Sequence, residues 1–166
     1  ARRVGPTSST TASSRWRRPA AEMAWKLFWR SDAGGRTEDN RDACGVGLRK
    51  DGMVCLVLDG ATRRRDSGPF AREIARDIVE WYVESDEAID ADAVISRLAD
   101  LHSRLAPRYP QASASYVLVH LDGSGVGFAL HVGDCLLGRS RGDGPIEWLS
   151  RPDTLANALA ANLEEA

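Results

Sequence analysis

Residues 53–60 read MVCLVLDG: six apolar side chains in unbroken succession, then a carboxylate and a glycine. The composition of the run predicts a buried strand, so Asp59 falls where that strand emerges. Gly60 would free the backbone to turn and let its own carbonyl approach a cation. An Asp-Gly pair after a strand is also an ordinary turn signal, and the motif alone leaves both readings open. Mg²⁺ and Mn²⁺ prefer carboxylates, backbone carbonyls and water to imidazole or thiolate, which makes Asp59 and Gly60 candidate metal ligands. A second carboxylate, Asp42, ends the polar stretch Asn40-Arg41-Asp42 on the other side of a predicted hairpin.

That hairpin consists of strands over residues 42–48 and 53–58, joined at Lys50-Asp51-Gly52, where Asp-Gly is a strong hairpin signal. Residues 26–30 predict an earlier strand, with Gly34-Gly35 as a break after it. Downstream, Ser67 is expected to cap a helix whose first turn accommodates Pro69. Phe70, Ile74, Ile78 and Trp81 recur at helical spacing, with Arg72, Glu73, Arg76, Asp77 and Glu80 on the other side. Asp90 opens a second helix with Val94, Leu98, Leu101 and Leu105 as its stripe and Pro107 as its stop. Core packing is a sufficient reading of both stripes. Strands follow over residues 116–121, 127–132, 135–139 and 146–149, and their short connections favour antiparallel pairing. Residues 154–166, rich in Ala and Leu, predict a last helix. Strands, two helices and strands again make an α+β fold with helices packed on antiparallel sheet.

Composition narrows the function classes. A chain of 166 residues with 43% hydrophobic content suits one domain with a core. The net charge of −2 is no footprint for nucleic acid, although Arg63-Arg64-Arg65 is locally basic. No apolar run approaches the roughly 20 residues that span a bilayer, so no membrane partner is expected and the cytoplasm is the simplest compartment. Cys44, Cys55 and Cys135 lack metal-ligand spacing and read as small buried hydrophobes. His102, His120 and His131 read as ordinary hydrogen-bonded histidines, although His120 and His131 could face each other across neighbouring strands. Residues 1–22, rich in Ser, Thr, Arg and Pro, are expected to be disordered. They are either a native basic tail or a leader before a natural start at Met23, and the domain is expected over residues 23–166.

Four motifs stand in order along the chain: GRTEDNRDA (35–43), LVLDGAT (56–62), ASASYVLV (112–119) and HVGDCLLGR (131–139), with the two helices between the second and the third. This succession resembles the metal-dependent protein phosphatases of the 2C type. Members of that family carry an R-x-x-N-E-D-type opening, a V-x-D-G strand end, a G-T-T-A-like strand start and a G-D-S-R-like strand end. The resemblance covers residues 25–150, the N-terminal part of a usual catalytic domain. It implies an antiparallel β-sandwich flanked by helix pairs, here without its last strands, so that residues 23–166 form a partial domain. It also implies hydrolysis of phosphoserine and phosphothreonine in a phosphorylated protein substrate, with two Mn²⁺ or Mg²⁺ ions in the complete site.

By the same resemblance, Asp59 would bridge the ions and the Gly60 carbonyl would complete one coordination shell. Asp42 would hold the site through water or hydrogen bonds, and Arg36 would take the substrate phosphate in its planar fork of donors. The sequence departs from the family pattern in several places. Arg36 stands one residue further from Asp42 than the family spacing, and Arg41 replaces an acidic residue, which weakens cation binding unless its side chain turns away. Ala61-Thr62 supplies no general acid, and the family's later D-G and D-N aspartates have no counterpart. Asp134 is expected to satisfy backbone N–H groups at a turn, with metal contact as the other reading. Ser113 and Ser115 lack a His-Asp arrangement or a G-x-S-x-G elbow, which argues against a serine nucleophile. The departures leave a second reading, a catalytically inactive phosphatase-like module that binds a protein partner or phosphopeptide. The oligomeric state stays open.

Overall fold

The computed structural model describes residues 25–33, 35 and 38–153. The expected tail over 1–22, the helix over 154–166 and Arg36 lie outside the described residues. The elements are β1 (Ala43–Arg49), β2 (Gly52–Gly60), α1 (Ser67–Glu84), α2 (Ala91–Leu105), β3 (Ala114–Asp122), β4 (Gly127–Val132), β5 (Gly138–Arg139) and β6 (Glu147–Trp148). β1 to β4 form one antiparallel sheet in chain order, and β5 pairs with β6 in a separate two-stranded ribbon. The α+β architecture is therefore as the sequence implies. The strands expected over 135–139 and 146–149 shrink to two residues each.

Alternation along β2 divides the sheet into two faces. Val54, Leu56 and Leu58, with Leu118 of β3, are buried against Phe70, Ala71, Ala75, Ile78 and Tyr82 of α1 and Val94, Leu101 and Leu105 of α2. Each such aliphatic side chain contributes about 1.5–3 kcal/mol when taken fully from water. The α1 stripe is rotated from the expected one: Ala71, Ala75 and Tyr82 are buried, while Ile74 and Trp81 are only half-buried. Close approach to β1 explains the shift. A Cβ on Gly45 would lie 2.9 Å from Val79, and one on Gly47 would lie 2.9 Å from Tyr82, so small residues must meet there.

The helix starts differ in how they are satisfied. Asp90 accepts the Ala93 N–H at 2.8 Å and caps α2 as expected. Ser67 does not cap α1; it is the first helical residue, and its hydroxyl accepts the Ser113 N–H at 3.3 Å. A tertiary partner thus takes the oxygen that local pattern assigned to the helix. Ion pairs lace the helix surface: Asp77 of α1 meets Arg97 and Arg104 of α2, and Glu73 accepts from Arg108 and from the Tyr109 hydroxyl.

Three local expectations fail for identifiable reasons. Arg49 pairs with Gly52, so the hairpin turn is Lys50-Asp51 and Gly52 is already in the strand. A Cβ on Gly52 would lie 2.5 Å from the Leu121 carbonyl oxygen, so the glycine serves the approach of β3 rather than the turn. Residues 26–30 form no strand, and Leu27, Phe28 and Trp29 are exposed, because among the described residues no strand pairs with them. His120 and His131 do not face each other. The β3–β4 register sets His120 opposite Phe128 and His131 opposite Val117, on opposite faces of the sheet. His120 instead stacks on Phe128 and meets the Tyr82 ring edge-on.

The face away from the helices carries Val46, Cys55, Val57, Val117, Val119 and their neighbours, by the same register. Neither helix packs on it, and Leu48 and Val57 are 56% and 44% exposed. All three cysteines are free and half-buried.

Candidate functional site

Strand register assembles the acidic residues. Ala43 of β1 opposes Leu58 of β2, which brings the preceding Asp42 alongside Asp59. Asp59 opposes Ser115 of β3, and Val132 of β4 opposes Tyr116, so the turn after β4 arrives beside the same strand ends. That turn holds Gly133 at φ +85°, where a Cβ would lie 2.3 Å from the Ser115 Oγ. Glycine lets it close against β3 and carries Asp134 toward Asp59. The three aspartates thus lie at the same end of the sheet, opposite the Lys50-Asp51 turn. Asp59, alternating with the buried Leu58 and Gly60, belongs to the helix-free side.

Electrostatics records their proximity. Burial raises the Asp59 pKa above the ordinary carboxyl value, and the charges of Asp42 and Asp134 and a hydrogen bond with Asp42 push it the same way. The neighbouring Cys135 thiol is also raised, first by burial and then by the charges of Asp59 and Asp134, with a backbone hydrogen bond from Asp59 acting in the opposite direction. Sequence reading had given Asp134 a backbone-satisfying role. The structure brings its charge onto Asp59, and the signal for this was its position just after β4, whose neighbour β3 carries Ser115 opposite Asp59.

Arg41 turns out to be a staple. Its guanidinium is buried and donates to the Thr62 carbonyl at 2.5 Å and to the Ala61 carbonyl at 3.5 Å, and it pairs with Asp39 at 3.1 Å. The hydrogen bond from Arg41 is the largest of the effects holding the Asp39 carboxyl below its usual range. The cation is thereby committed away from Asp59, and the opening segment is tied to the loop after β2. Gly60 makes that tie possible. It is paired with Ala114 inside β2 and does not turn; a Cβ there would lie 2.5 Å from the Arg41 carbonyl oxygen and 3.0 Å from that of Ser67. Asn40 Oδ1 accepts the Asp42 N–H at 3.0 Å and orders the approach to β1. Ser113 is engaged through its backbone with Ser67 and Ala61, and Ser115 packs against Gly133.

The donor chemistry of this site, carboxylates with backbone carbonyls close by, suits a hard divalent cation. The set is incomplete: among the described residues, no three His, Cys, Asp or Glu side chains converge closely enough to hold an ion. The charge of Asp42 acts on Asp59 ahead of that of Asp134, Arg36 lies outside the described residues, and among those residues no helix is long and apolar enough to cross a membrane.

No protein-family model and no curated protein sequence matches the chain. Solved structures do. The serine/threonine phosphatase Stp1 from Staphylococcus aureus is similar at a TM-score of 0.67 and 14% identity, over 81% of this chain and 56% of its own. A bacterial serine phosphatase bearing an arginine-to-glutamate substitution is similar at a TM-score of 0.58 and 13% identity, over 76% of this chain and 61% of its own. The chain therefore spans less than two thirds of either phosphatase. From the antiparallel sheet, the helix pair laid on it and this likeness, the chain has the fold of the 2C-type serine/threonine phosphatases.

Proposed function

We propose that this chain carries the first half of a phosphoester-hydrolysing site that acts, with Mn²⁺ or Mg²⁺, on phosphoserine and phosphothreonine in cytoplasmic proteins. The observation that carries the reading is the carboxyl pair Asp42–Asp59 at adjoining strand ends, with Asp134 adding its charge and raising the Asp59 pKa. Carboxylates that repel one another at an edge fit a site built to receive positive charge. Bound there, divalent ions would lower the pKa of water and neutralise phosphoryl oxygens. Asp59, with the Gly60 carbonyl, would hold the cation. Asp42, beside Asp59 at the adjoining strand end, would orient a water or the Asp59 carboxylate. Arg36 would bind the phosphate through two parallel N–H donors.

The test is Mn²⁺-dependent hydrolysis of a phosphopeptide by the longest product of the reading frame, between about pH 6 and 9. Activity that disappears in Asp59→Asn supports the reading; no hydrolysis in the wild type across that range overturns it. Asp42→Asn, acting through the pair, is expected to weaken Mn²⁺ binding about 10- to 100-fold. Titration calorimetry reads that shift.

The second reading, a phosphatase-like module that binds a phosphopeptide without catalysis, is favoured by the absence of a three-ligand cluster among the described residues. Phosphopeptide binding that is indifferent to Mn²⁺, with no turnover, is its signature.

A further inference from the structure

A groove of about 710 Å³ runs along the outer edge of β1, and Asp42 belongs to its lining. Ala43 lines it with Ala75, Val79, Arg72 and Arg76 of α1, and Val46, from the other sheet face, lines it where it rounds the strand edge. Trp29 closes one wall. β1 is an edge strand: among the described residues it pairs only with β2. Such an edge presents backbone N–H and C=O groups to an incoming chain.

α1 follows β1 along its length. A Cβ on Gly68 would lie 3.3 Å from the Arg41 Cα, while Gly45 approaches Ala75 and Val79, and Gly47 approaches Tyr82 and Val83. Arg72 and Arg76 are therefore ranged along the strand direction, one helical turn apart. Residues four apart on a helix stand about 5–6 Å from each other. Alternate side chains of an extended strand are spaced by about 6.6–6.8 Å. The two spacings differ by about 1 Å, which the long arginine side chains can span. Both arginines are exposed and weakly engaged: Arg72 reaches the Asn40 carbonyl at 3.4 Å, and Arg76 stands 4.0 Å from Glu80.

We infer that the groove captures an extended segment of the substrate protein as an added strand on β1, with acidic side chains two residues apart meeting Arg72 and Arg76. The phosphorylated residue of that segment then lies toward Asp42. Its identity as substrate rests on the phosphoester reading; its capture by the edge does not. Charge argues against the chain's own first residues as occupant, since residues 1–24 hold Arg2, Arg3, Arg15, Arg17 and Arg18 against Glu22. The acids of residues 154–166 are Glu164 and Glu165, adjacent in sequence, which an extended strand would point to opposite sides.

Fluorescence anisotropy of a labelled, unphosphorylated peptide with Glu at alternate positions, added to the full chain without metal, tests the capture independently of turnover. The expected result is saturable binding that weakens on the order of tenfold in Arg72→Glu with Arg76→Glu, weakens with salt and survives in Arg72→Lys with Arg76→Lys. Peptide N-methylated at alternate residues should lose binding, because strand addition needs its N–H groups. Equal binding of a Lys-for-Glu peptide, or of the N-methylated one, overturns the inference. So does binding that appears only after deletion of residues 154–166, which gives the groove to that segment. A dimer that the Arg72→Glu, Arg76→Glu variant dissolves gives it to a second copy and also overturns the inference. Capture without Mn²⁺-dependent hydrolysis fails only the phosphoester reading; hydrolysis without capture fails only this one.

Discussion

Asp59 sits where two kinds of demand meet, the ladder of β2 and the repulsion of Asp42 and Asp134. Because folding raises its pKa, the protonated form is favoured in the folded chain. The sign follows from linkage: the stability this group contributes is full below the ordinary carboxyl value of about 3.9 and is lost as pH rises through the folded value. At neutral pH, without metal, Asp59→Asn is therefore expected to raise the melting temperature. The gain should shrink as pH falls into the carboxyl range, and the wild type alone should regain stability on addition of Mn²⁺. Thermal melts of both proteins, at pH 7 and near pH 4, with and without Mn²⁺, check the three statements together. A Mn²⁺ shift that persists undiminished in Asp59→Asn would remove Asp59 as a principal ligand. Gly60 gives a separate prediction. Gly60→Ala forces a methyl against two backbone carbonyls that cannot rotate away, and a loss of about 1–3 kcal/mol in denaturant unfolding is expected. Because Arg41 must shift with it, the same variant should respond less to Mn²⁺.

At the scale of elements, two helices with similar apolar stripes begin by different means. α2 starts on a local cap, so Asp90→Ala is expected to cost about 1 kcal/mol, read as a lower urea midpoint with unchanged slope. α1 starts on a tertiary bond between Ser67 and Ser113. Ser67→Ala leaves the N–H of Ser113 without that acceptor where β3 enters the sheet, so its effect should reach the site as well as the helix. The strands and helices themselves were legible: the runs over 42–48, 53–58, 116–121 and 127–132 all lie in or against observed strands, and both amphipathic helices formed. What failed were features that depend on a neighbour. Gly52 and Gly60 look like turn residues and are instead points of close backbone approach, and residues 26–30 have strand composition with no described strand beside them.

Among the described residues, the helices cover one face of the four-stranded sheet and leave the other uncovered. On the helix side Leu56, Leu58 and Leu118 are buried to within 1%. On the other side valines and leucines of β1 to β3 stand in a continuous patch, with Val57 44% exposed. An apolar patch of that kind favours association with another surface. The chain by itself is expected to sediment as a concentration-dependent oligomer, and Val57→Lys, which places a charge in the middle of the patch, should shift it toward monomer. Sedimentation velocity over a tenfold range of concentration decides; a monomer at every concentration would mean that the patch is covered within the chain.

Periodicity and turn chemistry are local properties, which is why the α+β order of elements, the strand end at Asp59 and the opening at Asp42 could be read from the amino-acid string. The motifs also stand in the order that the 2C-type fold requires, and the fold bears that resemblance out. Register is not local. It took the pairing of β1, β2, β3 and β4 to bring Asp42, Asp59 and Asp134 to one edge. Only packing turned Arg41 away from them, because its buried guanidinium finds the carbonyls of Ala61 and Thr62, partners some twenty positions distant in the chain. Charge in a sequence has a sign but no direction, and direction is what the tertiary structure supplied.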